Sequence, residues 1–181
     1  AVNYGSDGGE GVVANCEQGK PGPLTGRTTY LYNGTTSIIT FPIAGVPATA
    51  ALTTQRWAFW CNLRGLGESS GAALIYWSDI HHTRLTADTR LTALIPTSGT
   101  DALLSTALGQ ADFLNQWSWL FVDYDDADTL GLGRKIRLFR ELGGVIAQPS
   151  LTDNRAATGT VTPPTTDLPV GNTALTNHTI N

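Results

Sequence analysis

The chain is built from short apolar runs of strand length, each followed by a cluster of turn-forming residues. The runs are rich in aromatic and β-branched residues, which favour β-strands. Gly, Ser, Asn and Asp dominate the clusters between them, and these residues favour turns. No βαβ rhythm is present, so the pattern predicts an antiparallel β-sandwich. The clearest predicted strands are Trp57 to Leu63, Ala72 to Ser78, Leu91 to Ile95, Trp117 to Tyr124 and Lys135 to Glu141.

Two further segments carry local signals. Thr29 to Tyr32 and Ser37 to Phe41 flank an Asn33-Gly34 pair, an arrangement that predicts a β-hairpin. Ala102 to Ala111 is the one segment with some helical spacing.

Size and charge restrict the class of protein. With 181 residues, of which 41% are hydrophobic, the chain is long enough for one well-packed domain. Only 14% of the residues are charged and the net charge is -4, so there is no basic surface of the kind that attracts nucleic acid or anionic lipid. Apolar runs such as Ala72 to Trp77 are much shorter than the ~20 residues of a membrane helix. We therefore expect a soluble protein with no nucleic-acid or membrane partner.

The two ends differ in composition from the middle of the chain. Residues 1–27 contain seven glycines and little periodicity, which predicts an irregular N-terminal arm. Residues 151–181 are rich in Thr, Pro, Asn and Ala, which predicts a second, extended arm. The sandwich is then expected over residues 28–150. The first residues do not look like a signal peptide, so export is either already processed or absent.

Cys16 and Cys61 are the only cysteines, which excludes a disulfide-dense scaffold and a four-cysteine zinc site. Cys61 alternates with Trp57 and Phe59, so a small buried apolar residue is favoured over a disulfide bridge.

Four segments in order resemble the laminin-G-like and concanavalin A-like domains. The resemblance is carried by Tyr30 to Pro42 (YLYNGTTSIITFP), Arg56 to Leu63 (RWAFWCNL), Gly109 to Tyr124 (GQADFLNQWSWLFVDY) and Ile136 to Gly143 (IRLFRELG). It implies an all-β, antiparallel jelly-roll sandwich of two curved sheets. After Gly171 the family's final strand is missing from the pattern. Either the N-terminal arm or another subunit supplies that strand, or an edge stays open, or the strand lies unrecognised within Thr173 to Ile180.

The carboxylates argue against catalysis. Glycoside hydrolysis uses two carboxylates that flank the scissile bond, but the only glutamates, Glu10, Glu17, Glu68 and Glu141, are each isolated. We therefore expect a protein that is not an enzyme.

Two groups of residues are candidates for ligand binding. Asp123, Asp125, Asp126 and Asp128 form a dense acidic cluster that would suit calcium, although Asp also favours solvated turns. Trp60 and Trp77 would suit stacking on a sugar, since alternation assigns Trp57 with Phe59, and Trp117 with Trp119 and Phe121, to the core faces of their strands. A second sheet face covered by an arm would bury Trp60 and Trp77 equally well. The predicted core residues are Trp57, Phe59, Trp117, Phe121, Ile136 and Leu138. Apart from calcium, no cofactor is expected.

The first functional hypothesis is a structural or assembly protein. Bacteriophage virion components such as capsid decoration and tail proteins resemble this chain in joining a jelly roll to extended polar arms. This hypothesis implies a homo-oligomer or capsid and tail partners, a location in the virion, and contacts from arm residues Asn3, Tyr4, Pro163, Pro164 and Leu168. The alternative is a secreted, extracellular carbohydrate-binding module that binds glycans, with calcium as an aid.

Overall fold

The structure is a computed structural model that describes residues 11–32, 37–41, 54–62, 71–77, 81–86, 90–107, 112, 114–162 and 167–171. These residues form β-strands and no α-helix. The strands are β1 (Val12–Ala14), β2 (Glu17–Pro21), β3 (Thr28–Leu31), β4 (Ile38–Phe41), β5 (Thr54–Asn62), β6 (Gly71–Trp77), β7 (His81–Thr86), β8 (Leu91–Ile95), β9 (Ala102–Thr106), β10 (Trp117–Asp125), β11 (Arg137–Leu142), β12 (Val145–Ala147), β13 (Leu151–Arg155) and β14 (Leu168–Gly171).

The strands form three sheets in which every described pairing is antiparallel. The larger sheet has eight strands in the order β1-β4-β14-β6-β7-β8-β9-β13. The smaller sheet has four strands in the order β12-β11-β10-β5, and β2 pairs with β3 separately. The prediction of an all-β, antiparallel fold is confirmed.

One hydrophobic core joins the larger and the smaller sheet, as in a β-sandwich. From the smaller sheet, β10 contributes Leu120, Val122 and Tyr124, and each is fully buried. The larger sheet contributes buried side chains from β8 and β9, including Leu91 and Leu104. Alternation along each strand brings these residues to one face, so burial of apolar area holds the two layers together.

Most of the predicted core is confirmed. Ile136 and Leu138 are fully buried, and Trp57 and Phe59 pack against the core from β5. Cys61 packs beside them as a free thiol, and Cys16 is also free, so the structure contains no bridge between the two cysteines.

Trp117 and Phe121 are not core residues. They lie on the same face of β10 as Trp119, whereas the core residues of β10, Leu120, Val122 and Tyr124, lie on the opposite face. In the register of β10 with β5, Leu120 lies opposite Phe59 and Val122 opposite Trp57. On the core face, β5 therefore supplies the rings of Trp57 and Phe59, and β10 supplies Leu120 and Val122 together with the ring of Tyr124. The tryptophans of β10 point away from the core.

Two local predictions are also corrected. The predicted hairpin between Tyr30 and Phe41 does not form, because β3 pairs with β2 while both edges of β4 are occupied by β1 and β14. Asn33 and Gly34 lie outside the described residues. Ala102 to Thr106 is the strand β9, where pairing with β8 and β13 overrides the weak helical spacing.

Two parts of the segment predicted as a C-terminal arm belong to the larger sheet. β13 pairs with β9 at one edge, and β14 lies between β4 and β6. Ala157 and Val161, between these strands, are buried in the core. From the N-terminal segment, β1 forms the other edge of the same sheet. The domain boundaries at residues 27 and 150 stay a prediction, but these parts of both segments are paired within their own chain.

The chain from 156 to 162 crosses the end of the sandwich, and we call this segment the closing strap. The Ser98 amide donates to the Thr160 carbonyl at 2.8 Å, and the Thr158 amide donates to the Thr100 carbonyl at 2.9 Å. On the other side, the Ala157 amide donates to the Arg134 carbonyl at 3.0 Å. The closing strap thus ties the β8–β9 turn to the loop that precedes β11. No helix in the described part of the chain is long and apolar enough to cross a membrane.

Candidate functional site

The face of the smaller sheet that points away from the core is unusually aromatic. We call it the outer aromatic face, and it consists of Trp60, Trp117, Trp119, Phe121 and Phe139. Each of these side chains is half-buried. Because the period of a strand is two, the core residues of β5, β10 and β11 force these rings onto the opposite face.

Strand register brings the rings of the outer aromatic face together. Trp119 lies opposite Trp60 on β5, and Phe121 lies opposite Phe139 on β11. The centroids of the Trp119 and Phe121 rings are 5.7 Å apart and the rings are nearly parallel. The Phe121 and Phe139 centroids are 6.1 Å apart and the rings are tilted by 40°. Such contacts stabilise the arrangement, and they leave an apolar surface with fixed geometry.

A charged row limits the outer aromatic face at one end. Asp123, next to Phe121 on this face, is only 2% exposed because two arginines cover its carboxylate. Arg56 donates from Nε to Oδ1 at 2.7 Å, and Arg137 pairs with Oδ2. The row therefore links β5, β10 and β11 through one carboxylate. The Arg56 side chain is 60% exposed, which leaves part of its guanidinium group in contact with solvent.

The other aspartates of the predicted acidic cluster hold the loop between β10 and β11. Asp125 accepts hydrogen bonds from the backbone amides of Ala127 at 3.1 Å and Thr129 at 2.9 Å, and from the Thr129 hydroxyl. These donors lower the pKa of Asp125, with the Thr129 side chain as the largest cause. Asp128 accepts from the amides of Leu132 at 2.6 Å and Gly133 at 2.8 Å.

Asp126 belongs to a different group of side chains. Its Oδ1 accepts from the Tyr124 hydroxyl at 2.7 Å and also pairs with Arg134. Burial and then the hydrogen bond to Asp126 raise the pKa of Tyr124, so the phenol stays protonated at neutral pH. Arg134 also donates to the Gly159 carbonyl at 2.5 Å, which connects this group to the closing strap.

The four aspartates thus point to separate partners. Within the described ranges, no three His, Cys, Asp or Glu side chains come together as a group that could hold a metal ion. Asp125 and Asp128 stabilise the loop between β10 and β11, and Asp123 links three strands through its two arginines. Calcium binding stays a prediction.

The inner face of the smaller sheet also carries a polar group near the core. Arg140 is 7% exposed and donates to the Ser118 hydroxyl from Nε at 3.3 Å and from Nη2 at 3.1 Å. Burial raises the pKa of the neighbouring Cys61 thiol to about 12, although Arg140 acts in the opposite direction. Cys61 is therefore protonated at neutral pH, which makes it a poor nucleophile.

The predicted ligand-binding tryptophans lie on different sheets. Trp60 is part of the outer aromatic face, whereas Trp77 lies on β6 of the larger sheet, paired with His81. The structure therefore does not bring them together. Of the predicted assembly residues, Asn3, Tyr4, Pro163 and Pro164 lie outside the described residues. Leu168 begins β14 and pairs with Phe41 of its own chain, and its place in an assembly contact stays a prediction.

Alternation assigned Trp117, Trp119 and Phe121 to the core and did not assign Phe139, although one signal for their outward orientation was present. Asp123 and Asp125 share the parity of Trp119 and Phe121 along β10. A carboxylate on the core face would lose its hydration without gaining a partner. The face that carries Asp123 and Asp125, and with them Trp119 and Phe121, is therefore expected to point outwards. Applied to β10, this rule would have reversed the assignment of its two faces.

We find no family model, no curated protein and no solved structure that matches this chain.

Proposed function

We propose that this protein is a non-enzymatic structural protein that works by docking onto another protein subunit through the outer aromatic face. The observation that carries the proposal is the cluster of half-buried rings on the side of the smaller sheet that faces away from the core. A β-sandwich needs only one apolar face per sheet, so a second apolar face has no role in holding the two layers together.

The composition of this face suits a protein partner. Trp, Phe and Arg are enriched at the centres of protein interfaces, and Lys is depleted there. Here three tryptophans and two phenylalanines lie beside Arg56 and Arg137, and none of the three strands that carry them contains a lysine. The strands and the ring contacts hold these side chains in place before binding, which reduces the entropy lost on association.

The narrower proposals rest on the sequence. The jelly-roll, concanavalin A-like class and a role in a bacteriophage virion are supported by the order of the four motifs and by the polar composition of the two ends. Parts of both end segments are paired within their own chain. The outer aromatic face is therefore a better candidate for the assembly contact than the two arms.

The test compares binding by wild type and by an outer-face variant. Partners would be captured from the source of the protein, purified and titrated against wild type and a Trp119→Ala, Phe139→Ala variant. We expect the variant to lose roughly tenfold or more in affinity, as for truncated aromatic anchors. Tyr30→Ala, a half-buried aromatic on the separate β2–β3 sheet, is the matched control and should bind as wild type does. A folded outer-face variant with unchanged affinity would contradict the proposal.

A carbohydrate-binding module is the second candidate, and one observation favours it. Trp60 and Trp119 lie side by side on adjacent strands, and Asn62 and Glu141 are polar neighbours on the same face. Aromatic rings beside hydrogen-bonding groups are suited to a pyranose. Glycan-array binding by the wild-type monomer that is lost in Trp60→Ala, with no protein partner, would favour this function over assembly.

A further inference from the structure

The edge of the smaller sheet at β12 is short, apolar and open. β12 has the sequence VIA and pairs with β11 on one side, and no strand in the described part of the chain pairs with its other side. Val145 is 65% exposed, Ile146 is 63% exposed, and Ala147 is also exposed. Because adjacent strand residues point to opposite faces, this edge exposes apolar side chains on both faces of the sheet.

The next strand along the chain forms a protected edge, and β12 differs from it. β13 lies at one edge of the larger sheet, and its pairing with β9 has a register shift between Leu151 and Asp153. Asp153 and Arg155 add exposed charges to that strand. Irregular pairing and charged side chains both discourage other strands from adding to an edge. β12 contains no charged residue and no proline, and its pairs with β11 run without a shift.

The turn before β12 determines which of its backbone groups point to the open edge. Gly143 and Gly144, with φ of 60° and 85°, form the two-residue turn between β11 and β12. The residues that flank such a turn, Leu142 and Val145, are hydrogen-bonded to each other, and along the ladder such pairs alternate with pairs that are not. The N–H and C=O groups of Ile146 therefore point away from β11. No hydrogen bond among the described residues occupies them.

Exposed apolar groups on both faces indicate the shape of the partner. A surface that docks onto one face of the sheet would cover either Ile146 or Val145, but not both. A strand added in the plane of the sheet would bond to the N–H and C=O groups of Ile146 and place its own side chains along both faces. An extended segment therefore satisfies the backbone groups and the side chains of this edge together.

The open edge is continuous with the outer aromatic face. Ile146 lies opposite Glu141, Glu141 lies opposite Trp119, and Trp119 lies opposite Trp60. Cross-strand partners point to the same face of a sheet, so a residue added beside Ile146 becomes the next member of this row. A partner protein that covers the outer aromatic face is therefore within reach of the edge at β12.

We propose that β12 accepts an extended segment of the partner protein as a fifth strand of the smaller sheet. The inference rests on the proposed function and names the form that the partner takes at this edge. The segment carries three consecutive apolar residues, because one of them lies beside Ile146 and its two neighbours lie beside Val145 and Ala147 on the other face. Backbone hydrogen bonds supply affinity, and the apolar requirement on both faces supplies specificity.

The experiment titrates the isotope-labelled full chain with a synthetic peptide and follows the backbone amide signals by NMR spectroscopy. The probe is acetyl-Lys-Thr-Val-Ile-Val-Thr-Lys-amide, which has three consecutive apolar residues between polar ends. The control peptide has the same sequence with the amide nitrogens of its five central residues methylated, so it keeps the side chains but cannot donate hydrogen bonds from them. We expect only the unmethylated peptide to shift the amide signals of Ile146 and Gln148.

Two variants of Ile146 separate the backbone contribution from the side-chain contribution. Ile146→Pro removes the N–H that points to the open edge and keeps the hydrogen bonds between β11 and β12. Ile146→Thr, the matched control, keeps this N–H and a strand-forming residue. We expect the dissociation constant of the peptide to be roughly tenfold higher for Ile146→Pro than for Ile146→Thr, since a backbone hydrogen bond is lost.

Ala147→Pro tests the orientation assigned to the backbone groups. The N–H of Ala147 points towards β11, so its removal breaks the ladder between the two strands. We expect thermal unfolding to show a lower Tm for Ala147→Pro than for Ile146→Pro, and circular dichroism to show that Ile146→Pro is folded. If the two variants lose the same stability, the N–H of Ile146 is not free to bind a partner and the proposal is overturned.

Other results of the titration would also overturn strand addition. They are the absence of any shift at millimolar peptide, equal binding of the methylated peptide, and equal dissociation constants for Ile146→Pro and Ile146→Thr. Shifts of the same amide signals on raising the protein concentration without peptide would assign this edge to a second copy instead.

The titration needs no natural partner, so its failure is distinguishable from a failure of the proposed function. A partner protein that requires Trp119 and Phe139, together with a peptide whose binding ignores Ile146→Pro, keeps the proposed function and removes strand addition. A partner protein that binds the outer-face variant normally, together with a peptide that requires the N–H of Ile146, removes the proposed function and keeps the open edge as a binding site.

Discussion

At the scale of single residues, Asp125 shows how the loop after β10 is held in place. Its carboxylate accepts from the Thr129 hydroxyl and from two backbone amides. These hydrogen bonds favour the ionised form in the folded protein, which lowers the pKa of Asp125. By linkage, the resulting contribution to stability is present above the unfolded pKa of about 3.9 and is lost as the pH falls through the lower, folded pKa.

The Thr129→Val substitution tests this account of the Asp125 pKa. Removing the hydroxyl removes the largest cause of the shift, so the pKa should rise towards its ordinary value while the two amide donors keep it slightly low. The measurement is an NMR titration of the side-chain carboxyl carbon. Thr28→Val, at an exposed position on β3, is the matched control and should leave the titration unchanged. An unchanged pKa in Thr129→Val would show that the hydroxyl is not the main cause.

Residue patterns predicted which segments form strands better than they predicted which face of a strand is buried. Both parities of β10 are apolar, with Trp117, Trp119 and Phe121 on one face and Leu120 and Val122 on the other. Hydrophobicity alone cannot choose between two such faces. The choice is made by packing against the opposite sheet and by the ion pairs that Asp123 forms with Arg56 and Arg137 on the outer face.

At the scale of elements, the closing strap depends on glycine. Gly159 has a φ of 79°, and a Cβ placed there would meet the Ser98 hydroxyl oxygen at 2.6 Å and the Gly99 amide nitrogen at 2.7 Å. Gly99 is equally confined, since its Cβ would meet Thr158 Oγ1 at 2.7 Å. The two backbones approach so closely that neither site accommodates a side chain without movement.

Gly159→Ala should therefore destabilise the protein more than its backbone conformation alone would explain. We expect a loss of about 3 kcal/mol in the free energy of unfolding, measured by urea denaturation, because the clash adds to the cost of a positive φ. Gly26→Ala is the matched control: its φ is 74° but no atom lies within 4 Å of the added Cβ, so the loss should be about 1 kcal/mol. Equal losses in the two variants would mean that the close approach contributes nothing.

Strands could be predicted where apolar residues are dense. β5, β6, β8, β10 and β11 are all long enough and apolar enough to be recognised from their sequences. β1, β2, β7, β12, β13 and β14 were missed because they are short or polar, as in the LTDNR sequence of β13. Such strands are stabilised by their pairing partners, which local sequence does not reveal.

At the scale of the whole molecule, β14 connects two parts of the larger sheet. It lies between β4 and β6, and Val170 pairs with Ile39 on one side and Ile75 on the other. Among the described strands, it is the element that joins β1 and β4 to the rest of the sheet. This arrangement differs from the extended C-terminal arm that the Thr- and Pro-rich composition predicts. Composition indicates how polar the segment is, but it does not indicate which strands the segment pairs with.

Removal of residues 163–181 tests that connection. We expect the truncated chain to lose about 5 kcal/mol or more in the free energy of unfolding, because a paired strand inside the sheet is lost with its hydrogen bonds and apolar contacts. A synthetic peptide of residues 163–181, added in trans, should restore part of this stability by taking the place of β14. The same peptide with Val170→Asp should not. A truncated chain that unfolds at the same urea concentration as wild type would contradict this role.

The location of β14 also has a consequence for synthesis of the protein on the ribosome. β4 leaves the exit tunnel more than one hundred residues before β14, and β6 almost as early, yet the two strands meet only through it. During most of translation both therefore present unpaired backbone edges, which are templates for pairing with other nascent chains. Crowded polysomes would consequently favour aggregation of this chain, and a chaperone that covers exposed strand edges would raise its yield.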